Sequence, residues 1–232
     1  MNSVQPEDRG AAQCRSLDRL LDDARLWRGS SPVSVASRLP AATPQLEVAL
    51  GGGWPCGVVC ELALSEPGCG ELTLLLPVLR EVHGPTAWIA PPHVPHPSAL
   101  AAAGVAIRDT LLIEPATPAQ AQWAAEQLLR SGVYGAVLLW LPTVSPRAVR
   151  RLQLAAQGSA AFVALLVPDA GSPLTSPAAL RMALTAGAHG VRVTVRKRRG
   201  GRPSPPFMVE YRAGVMAGPA FADAGAGGIA AN

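Results

Sequence analysis

The chain has 232 residues, of which 49% are hydrophobic and 16% charged, a balance typical of one globular domain with a large core and short tails. No apolar stretch approaches the roughly 20 residues that span a bilayer, and the polar start MNSVQPEDRG is unlike a secretory signal, so we expect a soluble, cytoplasmic protein. The four cysteines form no C-x-x-C pair, and a reducing cytoplasm would keep them as thiols.

The net charge of +4 hides an asymmetry along the chain. Residues 31–126 carry three Arg and eight Asp or Glu, whereas residues 127–202 carry eleven Arg or Lys and one acid, Asp169. This split predicts one basic face that would meet nucleic acid or an acidic partner. The alternative is a set of solvated surface arginines with no partner.

The N-terminal part reads as a helix and a linker, residues 1–42. The helix is predicted over residues 17–28, where Ser16 is the N-cap, Gly29 the stop, and Leu17, Leu20 and Leu21 form an apolar stripe. Residues 29–44 are rich in Ser and Pro, which is typical of a linker.

Residues 43–212 alternate between predicted strands and helices. The strands are residues 58–64, 86–90, 110–114, 136–141, 162–167, 191–196 and 207–212. The helices are residues 71–83 and 98–103, a helix from Thr117 to Gly132, one from Ser145 to Gly158, and a short one from Ser176. The pattern predicts an α/β fold with a mostly parallel sheet covered by helices on both faces. The last two strands form an antiparallel hairpin, and residues 213–232 are a Gly- and Ala-rich disordered tail.

Residues 43–76 resemble the start of a RecA core, where a strand leads into a phosphate-binding loop and a helix, and the resemblance extends to about residue 200. That loop requires G-x-x-x-x-G-K-[ST], whose lysine neutralises phosphate and whose hydroxyl binds Mg²⁺. The aligned run here is S-E-P-G-C-G-E-L. Gly68 and Gly70 remain, but Ser65 replaces the first glycine and Glu71 stands where the lysine should be. A carboxylate facing a triphosphate is repulsive.

Two further elements of ATP hydrolysis are missing. Trp140 stands near the end of the central strand, where a metal-binding acid is required, and Pro92 takes the place of the RecA catalytic acid. Lys197 is the only lysine of the chain and falls on a late strand. We therefore expect no enzymatic activity and no cofactor. The remaining glycine-rich turn serves packing, or alternatively binds an anion or nucleotide weakly through its backbone N–H groups.

A metal site is not predicted either. His93 and His96 form H-V-P-H on a proline-rich loop, but their spacing to Cys56, Cys60 and Cys69 matches no zinc pattern.

Two basic clusters are the candidate partner- or DNA-binding residues. Arg147, Arg150 and Arg151 have helical spacing and share one face. A second cluster ends a strand with four consecutive cations and continues into the turn: Arg196, Lys197, Arg198, Arg199 and Arg202. The cluster indicates phosphate or acidic-protein contact, or alternatively a solvated hairpin tip.

Motifs along most of the chain resemble the ImuA family, a group of accessory proteins of bacterial damage-induced mutagenesis in the RecA/SulA-like superfamily. They are ARLWRG at 24–29, GGGWPCG at 51–57, GELTLLLP at 70–77, APPHVPHPSALAAAG at 90–104, WAAEQLLRSG at 123–132, AVLLWLP at 136–142 and RRLQLAA at 150–156.

The resemblance implies a non-catalytic scaffold of the SOS response that assists error-prone translesion synthesis. Its expected partners are an ImuB-like homologue of Y-family polymerases, RecA and an error-prone replicative-type polymerase, with DNA and self-association as further candidates. Self-association would use Leu17, Leu20, Leu21 and Trp27. The alternatives are a SulA-like cell-division inhibitor and a weak nucleotide-binding protein.

Overall fold

A computed structural model describes residues 37–173 and 175–211. The predicted N-terminal helix, with Leu17, Leu20, Leu21 and Trp27, and the predicted tail 213–232 lie outside the described residues. The strands are β1 (Arg38–Leu39), β2 (Trp54–Pro55), β3 (Val59–Leu64), β4 (Thr86–Ile89), β5 (Thr110–Ile113), β6 (Ala136–Trp140), β7 (Phe162–Pro168), β8 (Leu180–Gly187), β9 (Gly190–Arg198) and β10 (Phe207–Glu210). The helices are α1 (Pro44–Leu50), α2 (Glu71–Glu81), α3 (Pro97–Ala102), α4 (Pro118–Ser131) and α5 (Pro146–Ala156).

Eight of these strands form one sheet in the order β10-β9-β8-β3-β7-β6-β4-β5. Strands β3 to β8 are parallel, whereas β9 pairs antiparallel with both β8 and β10. Strands β1 and β2 form a separate antiparallel pair. The predicted α/β fold with a mostly parallel sheet and a C-terminal antiparallel hairpin is thus confirmed.

The sheet is covered by helices on both faces. On one face, Leu46 of α1, Leu74 of α2 and Leu100 of α3 belong to a single buried cluster. On the other face, Ala121 of α4 and Val149 of α5 belong to a second cluster. All residues of the central strands β3 and β6 are buried, which explains why β6 reads as a continuous apolar run and β3 as an apolar run interrupted only by Glu61.

Helix starts follow the capping residues of the sequence. The Thr117 side chain accepts a hydrogen bond from the Gln120 N–H, and the Ser145 side chain accepts one from the Ala148 N–H, both at 3.2 Å. Gly132 ends α4 with a φ of 68°. These caps confirm the predicted boundaries of α4 and the predicted start of α5.

Ordered elements already occur within residues 38–50, most of which were predicted to be linker. Helix α1 begins after Thr43, whose side chain accepts from the Leu46 N–H, and ends at Gly51 in the left-handed region. Strand β1 lies before it and pairs with β2. The helix is only seven residues long, too short for its apolar period to be visible in the sequence.

The predicted short helix from Ser176 is wrong. No helix occurs there in the described chain, and β8 follows at Leu180–Gly187. Its residues Leu180, Met182 and Leu184 are buried while the intervening positions are more exposed, which is the two-residue period of a strand. The Ser-Pro pair at 176–177 resembles a helix start, but pairing with β3 and β9 decides the conformation.

No helix of the described part is both long and apolar enough to cross a membrane.

Candidate functional site

A cleft of about 230 Å³ lies at the carboxyl ends of β3, β4, β6 and β7. In parallel α/β sheets this edge is where ligands bind. The cleft is lined by uncharged, apolar side chains, including Leu64, Pro67, Pro92, Trp140, Leu166 and Pro168. Its volume is below the roughly 300–1,000 Å³ typical of small-molecule sites. Nothing in this lining could neutralise a phosphate or bind Mg²⁺.

The structure brings together three positions that the sequence singled out. Pro67 of the degenerate loop, Pro92 after β4 and Trp140 at the end of β6 all line the cleft. Trp140 stacks on Trp88 with ring centroids 5.5 Å apart and an interplanar angle of 28°. An aromatic pair therefore occupies the strand end where a RecA-like ATPase requires a carboxylate.

The Glu71 side chain forms a hydrogen bond within the degenerate loop. The Gly68 N–H donates to Glu71 Oε1 at 3.0 Å, and the Glu71 side chain is buried. Gly68 and Gly70 have φ values of 79° and 107°, so this turn requires glycine at both positions. Backbone N–H groups of such a turn bind phosphate in nucleotide-hydrolysing relatives. Here the carboxylate of the chain itself accepts from one of them.

Cys69, between these glycines, is a packing residue. It is 1% exposed, and its Sγ lies 3.7 Å from the carbonyl of Leu184. Burial, together with the charge of Glu71, raises the pKa of the Cys69 thiol to about 11. Burial likewise raises the pKa of Cys60 and Cys56 above the ordinary value. These thiols are unsuited to nucleophilic chemistry at neutral pH.

His93 and His96 lie exposed on the loop after β4, whereas Cys56, Cys60 and Cys69 are buried. Across residues 37–173 and 175–211, no group of three His, Cys, Asp or Glu side chains could hold a metal ion.

The first basic cluster lies on the exposed side of α5. Arg147, Arg150 and Arg151 are exposed, as their helical spacing predicts. Arg151 Nη2 donates to the buried carboxylate of Glu126 on α4 at 2.9 Å, and Arg130 of α4 lies 3.6 Å from the same carboxylate. Arg151 therefore ties the two helices together, which leaves Arg147 and Arg150 without an ion pair to any described residue.

The second basic cluster is mostly engaged in holding the end of β9. Arg196 forms a two-pronged ion pair with Asp169, and its hydrogen bonds lower the pKa of Asp169. Lys197 Nζ donates to the carbonyl of Ser176 at 2.8 Å. Arg198 packs so closely on the glycine turn of 51–53 that a Cβ on Gly51 would overlap its guanidinium. Of the predicted cluster, Arg199 and Arg202 are the exposed side chains with no described partner.

A buried polar network beside β8 was not recognised in the sequence. Glu61 of β3 is 1% exposed, and its Oε1 accepts from Arg181 Nε at 3.1 Å and from Ser172 Oγ at 2.6 Å. Its Oε2 accepts from Ser176 Oγ. The signal was available, because Glu61 is the single charged residue of the apolar run VVCELAL.

These features define a class: a RecA-like α/β protein with an apolar cleft at the carboxyl ends of its central strands and a glycine-rich turn whose Gly68 N–H donates to the chain's own Glu71 carboxylate. Comparisons with known proteins agree with this class. The family model described as "Cell division inhibitor SulA" matches residues 57–163. A cell division inhibitor SulA from Edwardsiella piscicida is 36% identical over 116 residues, which cover 47% of this chain and 69% of that protein. The chain belongs to the SulA family.

RecA proteins are more distant relatives. Protein RecA from Oceanobacillus iheyensis is 34% identical over 115 residues, covering 48% of this chain and 33% of that protein. Protein RecA from Prochlorococcus marinus is 30% identical over 149 residues, which cover 60% of this chain and 39% of that protein. The chain thus spans about a third of the RecA proteins that it matches. Together, these relatives place the chain in a RecA/SulA-like superfamily.

Proposed function

We propose that the chain is a non-catalytic accessory scaffold of SOS-induced, error-prone translesion synthesis, acting through protein partners and independently of ATP. The observation that carries the absence of catalysis is the cleft at the strand ends. Trp140 and Pro92 stand in it where acids would be needed, and Glu71 accepts from the loop N–H that would face phosphate.

The mutagenesis role is supported by the ImuA-like motifs, which lie in well-packed parts of the fold. GELTLLLP forms the first turns of α2, WAAEQLLRSG forms most of α4, and AVLLWLP covers β6. In this role the chain binds an ImuB-like protein, RecA and an error-prone polymerase complex. DNA and other copies of the chain are further candidate partners.

A second candidate is inhibition of cell division. The SulA relative favours it, since the region matched by the SulA family model includes the degenerate loop, α4, β6 and most of the residues that line the cleft. The two candidates differ in cells. A division inhibitor produces filaments on overexpression and leaves mutation frequency unchanged, whereas a mutagenesis scaffold raises the frequency of damage-induced mutation without blocking division.

The full chain is expected to co-purify with the ImuB-like protein or with RecA to the same extent with and without ATP and Mg²⁺. Nucleotide independence follows from the missing phosphate and metal ligands. Binding to neither protein, together with filamentation on overexpression, would replace the mutagenesis assignment by division inhibition. Binding that required ATP would contradict the scaffold role.

The strand end of β9 is tested in the same experiment with Arg199→Ala/Arg202→Ala. Replacing all four residues Arg196–Arg199 is unsuitable, because three of them hold Asp169, Ser176 and the 51–53 turn in place.

A further inference from the structure

The outer face of α4 and α5 carries two large apolar side chains surrounded by arginines. Trp123 of α4 is 62% exposed and Leu154 of α5 is 60% exposed. Trp88, Trp54 and Trp140 are at most 8% exposed, so Trp123 is the exposed indole of the described chain. We call the surface formed by Trp123, Arg130, Arg147, Arg150, Arg151 and Leu154 the α4/α5 face.

Helix geometry places these residues on one continuous surface. Trp123, Glu126 and Arg130 are spaced i, i+3, i+7 on α4, and Arg147, Arg151 and Leu154 are spaced i, i+4, i+7 on α5. The 2.9 Å contact between Arg151 and Glu126 joins the two stripes at their middle. Helix α4 connects β5 to β6, which lie on either side of β4, and α5 connects the neighbouring strands β6 and β7. Because all of these strands are parallel, the two helices run in the same direction. Trp123 is thus level with the N-terminal turn of α5 that carries Arg147, and Arg130 is level with Leu154.

The charge of this face is almost entirely positive. It holds four arginines, and its acid, Glu126, is buried beneath Arg130 and Arg151. Arg147 and Arg150 point to no described carboxylate. Trp123 and Leu154 lie towards opposite ends of the face, with arginines between them. Exposed apolar side chains among arginines are typical of a protein-binding surface, where Trp and Arg are enriched among the anchor residues.

We propose that the α4/α5 face binds an acidic segment of a partner protein whose apolar side chains pack against Trp123 and Leu154. This inference rests on the proposed function, in which the chain works by binding partners, and names the kind of partner and the surface. Carboxylates of the segment would pair with Arg147 and Arg150 across the rim, where charge complementarity fixes orientation.

Nucleic acid fits this face less well. Binding to a phosphate backbone gains its strength from unpaired cations, and two of the four arginines already share the Glu126 carboxylate. Single-stranded nucleic acid also requires successive aromatic platforms, whereas this face offers one indole. A carboxylate-bearing protein segment with apolar side chains can contact Arg147, Arg150 and the exposed Trp123 and Leu154 together.

The test uses the full chain and a labelled helical peptide with Glu on one face and Leu and Phe on the other, followed by fluorescence anisotropy. The same peptide with Lys for Glu, a single-stranded DNA and a duplex DNA are the comparison probes. We expect the acidic peptide to bind and the Lys peptide not to. Trp123→Ala and Arg147→Glu/Arg150→Glu should each weaken binding about tenfold or more.

Two variants elsewhere serve as controls. Val48→Ala removes an exposed apolar side chain from α1, and Arg108→Glu reverses an exposed charge before β5. Neither should change the affinity. All substituted side chains are exposed, so the variants are expected to fold, which circular dichroism checks.

Several outcomes would overturn the inference: no binding of the acidic peptide, equal weakening by the controls, preference for DNA through the same residues, or self-association of the chain that Trp123→Ala abolishes. Failure of the proposed function looks different. In that case the peptide binds at the α4/α5 face while the ImuB-like protein and RecA do not co-purify. If Trp123→Ala and Arg147→Glu/Arg150→Glu leave co-purification unchanged, the α4/α5 face is not the binding surface, whereas the proposed scaffold function stands.

Discussion

The Arg181→Leu variant is expected to lose about 3–5 kcal/mol of the free energy of unfolding, because the substitution leaves the Glu61 carboxylate buried without its cation. The side chain of Arg181 is 12% exposed and that of Glu61 is 1% exposed. Arg181 also donates to Ser172 Oγ at 2.9 Å and to the Pro173 carbonyl at 2.6 Å. One side chain therefore holds both the buried acid and the loop that follows β7.

Urea denaturation measures this loss against two matched variants. Arg192→Gln alters an exposed arginine on the neighbouring strand and is expected to change the free energy of unfolding by no more than about 0.5 kcal/mol. Glu61→Leu/Arg181→Leu removes both charges and should recover about 1–3 kcal/mol relative to the sum of the single losses. A loss below about 1 kcal/mol for Arg181→Leu would show that the pair is hydrated in solution.

Phe162→Ala is expected to cost about 3–5 kcal/mol, because Phe162 is fully buried at the start of the central strand β7. Its ring meets Trp54 edge to face at a centroid distance of 5.4 Å and an interplanar angle of 75°. Trp54 belongs to β2, so the cavity left by removing the Phe162 ring also weakens the packing of the β1–β2 pair against the sheet.

The matched control is Leu154→Ala, which truncates a side chain that is 60% exposed and should cost less than about 0.5 kcal/mol. A loss for Phe162→Ala as small as that of Leu154→Ala in urea denaturation would contradict the packing of β7 against β2.

Local signals in the sequence predicted much of the parallel core. The apolar runs of β3, β6 and β7 are buried strands, and the caps at Thr117 and Ser145 lie where residue preference places them. What local signals could not supply was pairing over long separations. Strand β8 looked like the start of a helix, and its alternation becomes decisive only when β3 and β9 flank it.

The candidate site also combines features that the sequence predicts with contacts that it does not reveal. The placement of Pro92 and Trp140 at the cleft and of Glu71 in the glycine-rich turn could be predicted, because each occupies a position fixed by a motif. The roles of individual arginines could not. Arg151 and Arg196 form ion pairs with acids 25 and 27 residues away in the sequence, and Arg181 pairs with an acid 120 residues away. The spacing of charged residues along the sequence does not reveal such pairs.

The most direct test of the central claim is equilibrium dialysis of the full chain against radiolabelled ATP and Mg²⁺, with phosphate release assayed on the same samples and RecA as the positive control. We predict no saturable binding and no release. Glu71→Lys should not restore turnover, since Trp140 and Pro92 still occupy the positions of the required acids. Saturable ATP binding with phosphate release that Glu71→Ala abolishes would contradict the account and identify a working nucleotide site.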